Sequence, residues 1–363
     1  MRIAIVHEWW AKYGGSENVA DSIADLFPEA EVFCLYVDSN LNLSSLRPNV
    51  RQSWISLIPY HENRKIAAAL SILAYRTLSF NYFDLVISSS HTFAHTVRFP
   101  RSQNTTYLSY VHTPARSLWV NEIDGRAEIA GMSLVRPALK QLDKLLGSHV
   151  NGIAANSEEV KNRISLFWNM ESEVITPPVD LNFSLFNFLD RVSDFPFRKD
   201  DYIVSAGRFV EYKNHDFAIR VAARARIPIV IMGSGPMEKE LRELAKSMSV
   251  QCHFEIGPSR ERWLNILKNA RAMLFPAHED FGITPVEAMG LGTPVIALSK
   301  GGALDYMQDE VNGKLIGALN LDLFSEELIR LNINDRSKII SSVAKFDKSL
   351  FQVKFKNWVN SKI

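Results

Sequence analysis

Cysteine is nearly absent from this chain. There are two in 363 residues, Cys34 and Cys252, and neither has a CxxC neighbour. That excludes a disulfide scaffold and a cysteine-rich zinc module, and it fits a reducing cytoplasm. Long apolar runs are also missing. The most apolar stretch, Ile66 to Tyr75, falls far short of the ~20 residues a spanning helix needs. The opening MRIAIVHEWW lacks the apolar core of a signal peptide and reads as a first strand. Neither sign of charge dominates: 41 basic against 40 acidic side chains leave a net +1, so no global field recruits nucleic acid. Four chemical signatures are absent too: HExxH, GxSxG, GxxxxGK[ST] and a clustered Asp-x-Asp in an obvious strand-end loop. Divalent-metal chemistry and a P-loop have no sequence basis, and no metal or cofactor is expected.

What is present is a soluble, or at most peripheral, chain with 47% apolar residues, enough to fill the two domains expected at ~150 residues each. Nearly all-apolar runs suit strands of a parallel sheet covered on both faces: Ile3–Val6, Glu31–Leu35, Leu85–Ser88, Tyr107–Val111, Ile153–Ala155, Tyr202–Ala206, Ile227–Met232, Cys252–Ile256, Ala272–Phe275 and Pro294–Leu298. Amphipathic stretches fall between them, among them Ser16–Phe27, Ser157–Phe167, His215–Ala225, Met237–Ser247 and Arg260–Asn269. This βαβα rhythm predicts an α/β fold. It starts twice. Pro177-Pro178 and an aperiodic stretch predict a linker over 181–200, between a first domain over 1–180 and a second over 201–346. The expected architecture is two doubly wound, Rossmann-like domains with an interdomain cleft, since ligands of open α/β sheets sit outside the carboxyl ends of the strands.

Five strand-end segments carry candidate chemistry. In Phe275–Gly290 a strand ends and a helix is expected to start at Pro285, with Thr284 as its N-cap. Its first turn, near Gly282 and Ile283, offers N–H groups to an anion. Glu287 completes a capping box with Thr284 or meets a ribose diol, and Glu279 is a solvated acid or a sugar ligand. In Ser205–Asn214, Arg208 and Lys213 follow Gly207 near a helix N-terminus, where cations are disfavoured unless an anion sits between them; the alternative is pairing with Glu211 or Asp216. Gly233-Ser234-Gly235 begins a dinucleotide fingerprint with Glu255 at the expected distance, but Glu238 stands where the third glycine belongs. Gly14 and Gly15 form a tight turn before a helix that Ser16 could cap, or let a ligand approach the backbone. His112, held extended before Thr113-Pro114, is either structural or a contact for a sugar hydroxyl. Between Arg51 and Phe80, cations (Arg51, Arg64, Lys65, Arg76) mix with aromatics (Trp54, Tyr60, Tyr75, Phe80). They suit a buried amphipathic helix more than an anionic membrane face.

Taken in order, these segments resemble the family 4 retaining glycosyltransferases of GT-B fold. Glu279-x7-Glu287 within HEDFGITPVEAMGLGTPVIA, Gly207-Arg208-x4-Lys213, Gly14-Gly15-Ser16-Glu17 and Lys300-Gly301-Gly302-Ala303 match the family's pattern. The segment from Ser341 to Ile363, with Phe346, Phe351 and Trp358, resembles the C-terminal crossover helix (about 347–363) that completes the first domain. The resemblance implies that Arg208 and Lys213 hold a donor diphosphate, with Gly14, Gly15, Gly207, Gly233 and the N–H groups of Gly282, Ile283 and Thr284 around the donor. It also implies Glu287 on the ribose, Glu279 beside the donor sugar and His112 on a sugar hydroxyl. Tyr110-x-His112-Thr113-Pro114-x-Arg116 with Trp119 is similar to bacterial mannosyltransferases of O-antigen and capsular polysaccharide assembly. Ser117-Leu118-Trp119-Val120 departs from the aromatic and acid that often flank that tryptophan. Implied with it are a GDP-mannose donor, a lipid-linked oligosaccharide acceptor, no nucleic acid, and a cytoplasmic place with peripheral contact to the inner membrane. The alternatives are a UDP-sugar transferase, a GT-B nucleotide-sugar epimerase, which would isomerise the donor alone, an NAD-dependent oxidoreductase and a catalytically silent partner of a polysaccharide complex.

Overall fold

A computed structural model describes residues 1–10, 14–41, 50–59, 61–78, 82–98, 105–120, 132–189, 194–332 and 335–363. The chain divides into two compact units: Met1–Pro178 with Lys348–Ile363, and Val179–Asp347.

The strands of the first unit are β1 (Ile3–His7), β2 (Trp9–Trp10), β3 (Glu31–Cys34), β4 (Tyr36–Val37), β5 (Val50–Gln52), β6 (Leu85–Ser90), β7 (Thr106–Val111), β8 (Gly152–Ala155) and β9 (Glu173–Val174). Its helices are α1 (Gly15–Leu26), α2 (Arg64–Thr77), α3 (Arg116–Trp119), α4 (Met132–Gly147) and α5 (Glu158–Trp168). The main sheet is parallel, in the order β5-β3-β1-β6-β7-β8-β9. Side chains alternate across it. Ile5, Leu85, Ile87, Leu108 and Tyr110 face a core shared with Val19 and Ile23 of α1. Ala4, Val6, Phe33, Val86 and Tyr107 face Ala67, Ala74 and Tyr75 of α2. Both faces are dry, which is why the strands read as apolar runs and not as alternating ones. Tyr75 is fully buried, and its hydroxyl donates to the His7 carbonyl at 3.3 Å, so α2 is a packed helix of this unit. Tyr60 and Phe80, and the side chains of Arg64 and Lys65, lie outside the described residues.

The second unit holds β10 (Ile203–Arg208), β11 (Ile229–Ser234), β12 (Cys252–Ile256), β13 (Ala272–Phe275), β14 (Val295–Leu298) and β15 (Gly313–Ile316). Its helices are α6 (His215–Ala225), α7 (Glu238–Ser247), α8 (Arg260–Asn269), α9 (Ile283–Gly290), α10 (Ala303–Tyr306), α11 (Leu321–Arg330) and α12 (Arg336–Val343). The sheet is again parallel, in the order β12-β11-β10-β13-β14-β15. The last helix, α13 (Lys348–Asn360), belongs to the first unit, where Phe351, Phe355 and Trp358 join the α1 core; Phe346 stays in the core of the second.

The stretch read as a linker over 181–200 is part of the second unit. Leu181, Phe183, Phe186, Phe188, Phe195 and Phe197 pack on that unit's core. Phe195 is buried and the others are partly buried, so the described residues of this stretch pack against a core and do not form a solvated tether.

Each sheet reverses its strand order once, between β1 and β6 in the first unit and between β10 and β13 in the second. At such a reversal the connections leave in opposite directions, and the parted loops open a crevice at the carboxyl ends of the strands.

Candidate functional site

At the second reversal, β10 delivers Arg208, and the turn after it (Glu211–Lys213) delivers Lys213. β13 ends at Phe275 and its loop delivers Glu279. The reversal therefore brings together residues 66 positions apart: Lys213 Nζ donates to a Glu279 carboxylate oxygen. Both side chains are mostly buried, at 13% and 17% exposure. The two loops are tied by Asn214 Nδ2 donating to the Pro276 carbonyl at 2.8 Å. His215 fixes the other side of the turn, with Nδ1 2.8 Å from Ser205 Oγ and Nε2 3.2 Å from the Arg208 carbonyl. Burial, with Lys213 adding to it, lowers the His215 pKa to about 4, so the ring is neutral at neutral pH. Arg208 donates to the Tyr212 hydroxyl at 3.1 Å and, among the described residues, meets no carboxylate. The expected alternative, pairing with Glu211 or Asp216, is not the arrangement found.

Gly207 and Gly233 are register partners on β10 and β11. Gly233 has φ 141°, and a Cβ there would stand 1.9 Å from the Gly207 carbonyl oxygen, so this strand end closes only with glycine. Glu255, the acid of the dinucleotide reading of the same loop, is held in an ion pair. Glu255 accepts from Arg262 Nε at 2.9 Å and lies 2.9 Å from His253 Nε2.

The helix after Glu279 departs from expectation. α9 starts at Ile283, with Gly282 as its N-cap at φ 91° and no side-chain cap. Thr284 is thus inside the first turn, and Thr284 and Glu287 form no capping box. A left-handed glycine turns the chain two residues earlier than the threonine suggested. Glu287, nearly buried, instead accepts from Arg260 Nη2 at 2.6 Å. Arg260, the first residue of α8, went unnoticed in the sequence because nothing in its spacing links it to an acid 27 residues on. The loop before α10 supports Glu279: the Gly302 N–H donates to the Glu279 carbonyl at 2.9 Å, and Gly301 and Gly302 pack on backbone 279–281.

In the first unit, α1 starts at Gly15 with Gly14 as its N-cap, so Ser16 does not cap it; its hydroxyl donates to Glu17 Oε2 at 2.8 Å. The face of Gly14 expected to admit a ligand holds that carboxylate, 1.6 Å from where a Cβ would stand. A phosphate beside Gly14 and Gly15 would meet a negative charge. His112 follows β7, 8% exposed, with Nε2 2.9 Å from Ser89 Oγ. Burial holds its pKa well below the ordinary range, so it is a neutral imidazole.

Around it lies a cluster that sequence reasoning missed. His7 ends β1, Glu8 follows it, and His91 follows β6. One ligand atom from each of these three lies within 4.8 Å of the others, the one group with metal-ligating side chains so placed among the described residues. No sequence motif marks the cluster, because Glu8 and His91 are 83 positions apart.

Residues 189–345 match the family profile described as "Glycosyl transferases group 1". The second unit carries a group 1 glycosyltransferase domain. The O-antigen chain mannosyltransferase C of Escherichia coli is 32% identical over 122 residues, 32% of this chain and 33% of that protein. The alignments span 33–40% of the length of the curated relatives matched. Two solved structures share the fold over the whole chain. The apo form of lipopolysaccharide outer core galactosyltransferase WaaB has a TM-score of 0.67 at 18% identity, covering 100% of both chains. Anabaena Alr3699/HepE in complex with UDP and glucose has 0.70 at 15%, covering 99% of this chain and 100% of that one. The fold is GT-B: two Rossmann-like α/β units. Glu279, Arg208, Lys213 and Glu287 all lie within the matched group 1 domain. Among the described residues no helix is long and apolar enough to cross a membrane.

Proposed function

We propose that the chain transfers a hexose from a nucleoside diphosphate-sugar, with GDP-mannose the first choice, to a lipid-linked glycan acceptor of a bacterial surface polysaccharide. Anomeric configuration is retained and no metal is required. The observation that carries this reading is the Lys213–Glu279 pair beside Arg208 at the strand reversal of the group 1 domain.

Two cations at a strand end can neutralise a diphosphate as its charge develops, the electrostatic task that a divalent ion performs elsewhere. Arg208 supplies a fork and Lys213 a point charge. The first-turn N–H groups of Ile283 and Thr284 add donors to the same anion. When the diphosphate takes Lys213, Glu279 is released to accept from hydroxyls of the donor hexose. Glu287, steadied by Arg260, accepts from the ribose diol. The bond from the anomeric carbon to the diphosphate oxygen breaks. The acceptor oxygen bonds to that carbon on the same face, and the acceptor proton passes to the departing phosphate. The mannosyltransferase relative supports the donor choice. The structural likeness to a protein holding UDP supports a UDP-sugar as the second reading.

Calorimetry with GDP, UDP, ADP, dTDP and NAD, with and without EDTA, tests this. Selective GDP binding unaffected by EDTA is expected. Selective UDP binding moves the donor and leaves the mechanism. Binding of NAD and of no diphosphate overturns the reading.

A further inference from the structure

The group 1 domain accounts for the second strand reversal and leaves the first unexplained. There β1 and β6 lie side by side, with His7 and Ser89 as register partners. The two strand ends bring His7, Glu8 and His91 together, one ligand atom of each within 4.8 Å of the others. Imidazole nitrogen and carboxylate oxygen are ligand types that divalent transition metals share.

The buried members of the group are held from behind. His7 Nδ1 lies 3.0 Å from the Ser89 carbonyl, so that nitrogen carries the proton and the lone pair is on Nε2. Nε2 is buried and meets no hydrogen-bond partner among the described residues. A ring N–H donated to a backbone carbonyl is the support that metal-bound histidines have. Burial lowers the His7 pKa, so the ring is in the neutral form that a metal needs. Glu8 is completely buried. Its Oε1 accepts from the backbone N–H of His91 (3.0 Å), Thr92 (2.8 Å) and Ala94 (3.1 Å). Those donors fix the carboxylate and leave Oε2 facing the imidazoles, 3.1 Å from His91 Nδ1 and 3.9 Å from His7 Nδ1. Among the described residues no lysine or arginine pairs with Glu8. A buried carboxylate calls for a positive partner, and a divalent ion is one.

His91 forms the open side. Its side chain is 20% exposed, whereas those of His7 and Glu8 are at 0%, so an ion enters past His91 and keeps a water there. His112, the other imidazole nearby, is engaged elsewhere, with Nε2 2.9 Å from Ser89 Oγ. Two imidazoles and one carboxylate with an open position suit zinc, whereas calcium and magnesium want oxygen ligands throughout.

We infer that the β1/β6 reversal of the first unit binds one zinc ion, with His7, Glu8 and His91 as its protein ligands and the fourth position open to water. Ligation through Nδ1 puts the His91 proton on Nε2. The ion supplies the counter-charge of Glu8 and ties the ends of β1 and β6. It has no part in the proposed transfer, whose diphosphate is assigned to Arg208 and Lys213.

Metal binding to the full chain, stripped with EDTA and dialysed free of it, tests the site. Calorimetry should give one zinc per chain, and the melting temperature should rise with zinc. Cobalt(II) in its place should show the visible absorption of a four-coordinate site. His91→Ala leaves the buried pair in place and so a folded chain. Glu8→Gln keeps an oxygen for the three backbone donors. Each should weaken zinc by more than the roughly 10- to 100-fold that loss of an outer-shell partner costs, and each should abolish the zinc-dependent melting shift. Two outcomes overturn the inference: no stoichiometric zinc or cobalt in wild type, or binding that survives both substitutions, which would place the ion on other side chains.

Discussion

Two parallel sheets in one chain each reverse strand order once, and their reversals carry opposite chemistry. Between β10 and β13 the chain places Arg208 and Lys213, with Glu279 as the counter-charge. Between β1 and β6 it places imidazoles around one buried carboxylate. The first set crowds cations at a helix start, where they are otherwise unwelcome. The second holds neutral imidazoles, because burial has stripped His7 and His112 of charge. One topology therefore yields two chemistries, decided by which residues follow the strands.

Acidification should break the comparison most strongly. His215 in the second unit and His149 in the first have pKa values lowered to about 4, and His7 and His112 are lowered as well. For a lowered histidine the unfolded chain binds the proton first, so stability is intact above ~6.5 and falls as the pH drops toward the folded value. His149 and His215 each account for about 3 kcal/mol across that window. Glu8 adds a loss below the ordinary carboxylate range, because its folded pKa is lowered and its stabilisation exists only while it is ionised. With three such histidines against one, the first unit should lose hydrogen-exchange protection before the second between pH 6.5 and 4. Simultaneous loss, or loss in the second unit first, would refute this.

Next in size are the cations. Lys213→Ala and Arg208→Ala should each remove ~2–4 kcal/mol of transition-state stabilisation, read as a fall in kcat/KM of roughly 30- to 1000-fold. Both should weaken nucleoside diphosphate binding. His91→Ala should leave that affinity within two-fold of wild type. Unaltered turnover in both cation variants would sink the diphosphate assignment, and equal losses of diphosphate affinity in all three would erase the difference between the reversals.

Much of the candidate site in the second unit was legible in the sequence, and little of the cluster in the first. Gly207-Arg208-x4-Lys213 and Glu279-x7-Glu287 are local patterns at strand ends, and strand ends show as apolar runs whose limits fell within a residue or two of the observed ones. Boundaries failed where one backbone torsion decided them: Gly282, at φ 91°, moved the start of α9 away from Thr284. Partners failed where they were remote. Glu8 with His91 and Arg260 with Glu287 are made by the sheet and helix order, and no periodicity encodes them.

The smallest effects sharpen the comparison inside one sheet. Gly233 and Gly257 both sit at strand ends of the second unit with positive φ, 141° and 55°, and so share the backbone cost of losing glycine. They differ in what surrounds them. A Cβ on Gly233 meets the Gly207 carbonyl oxygen at 1.9 Å, whereas a Cβ on Gly257 meets nothing within 4 Å. Gly257→Ala should therefore cost only the torsional term, about 1 kcal/mol, seen as a small fall in Tm with diphosphate affinity unchanged. Gly233→Ala must also part β10 from β11 at the residue before Arg208. A loss of about 2–3 kcal/mol together with weaker diphosphate binding is expected of it. Equal melting shifts in the two variants would mean that the Gly207–Gly233 contact relaxes freely, and that the position of Arg208 does not depend on the closeness of these two strand ends.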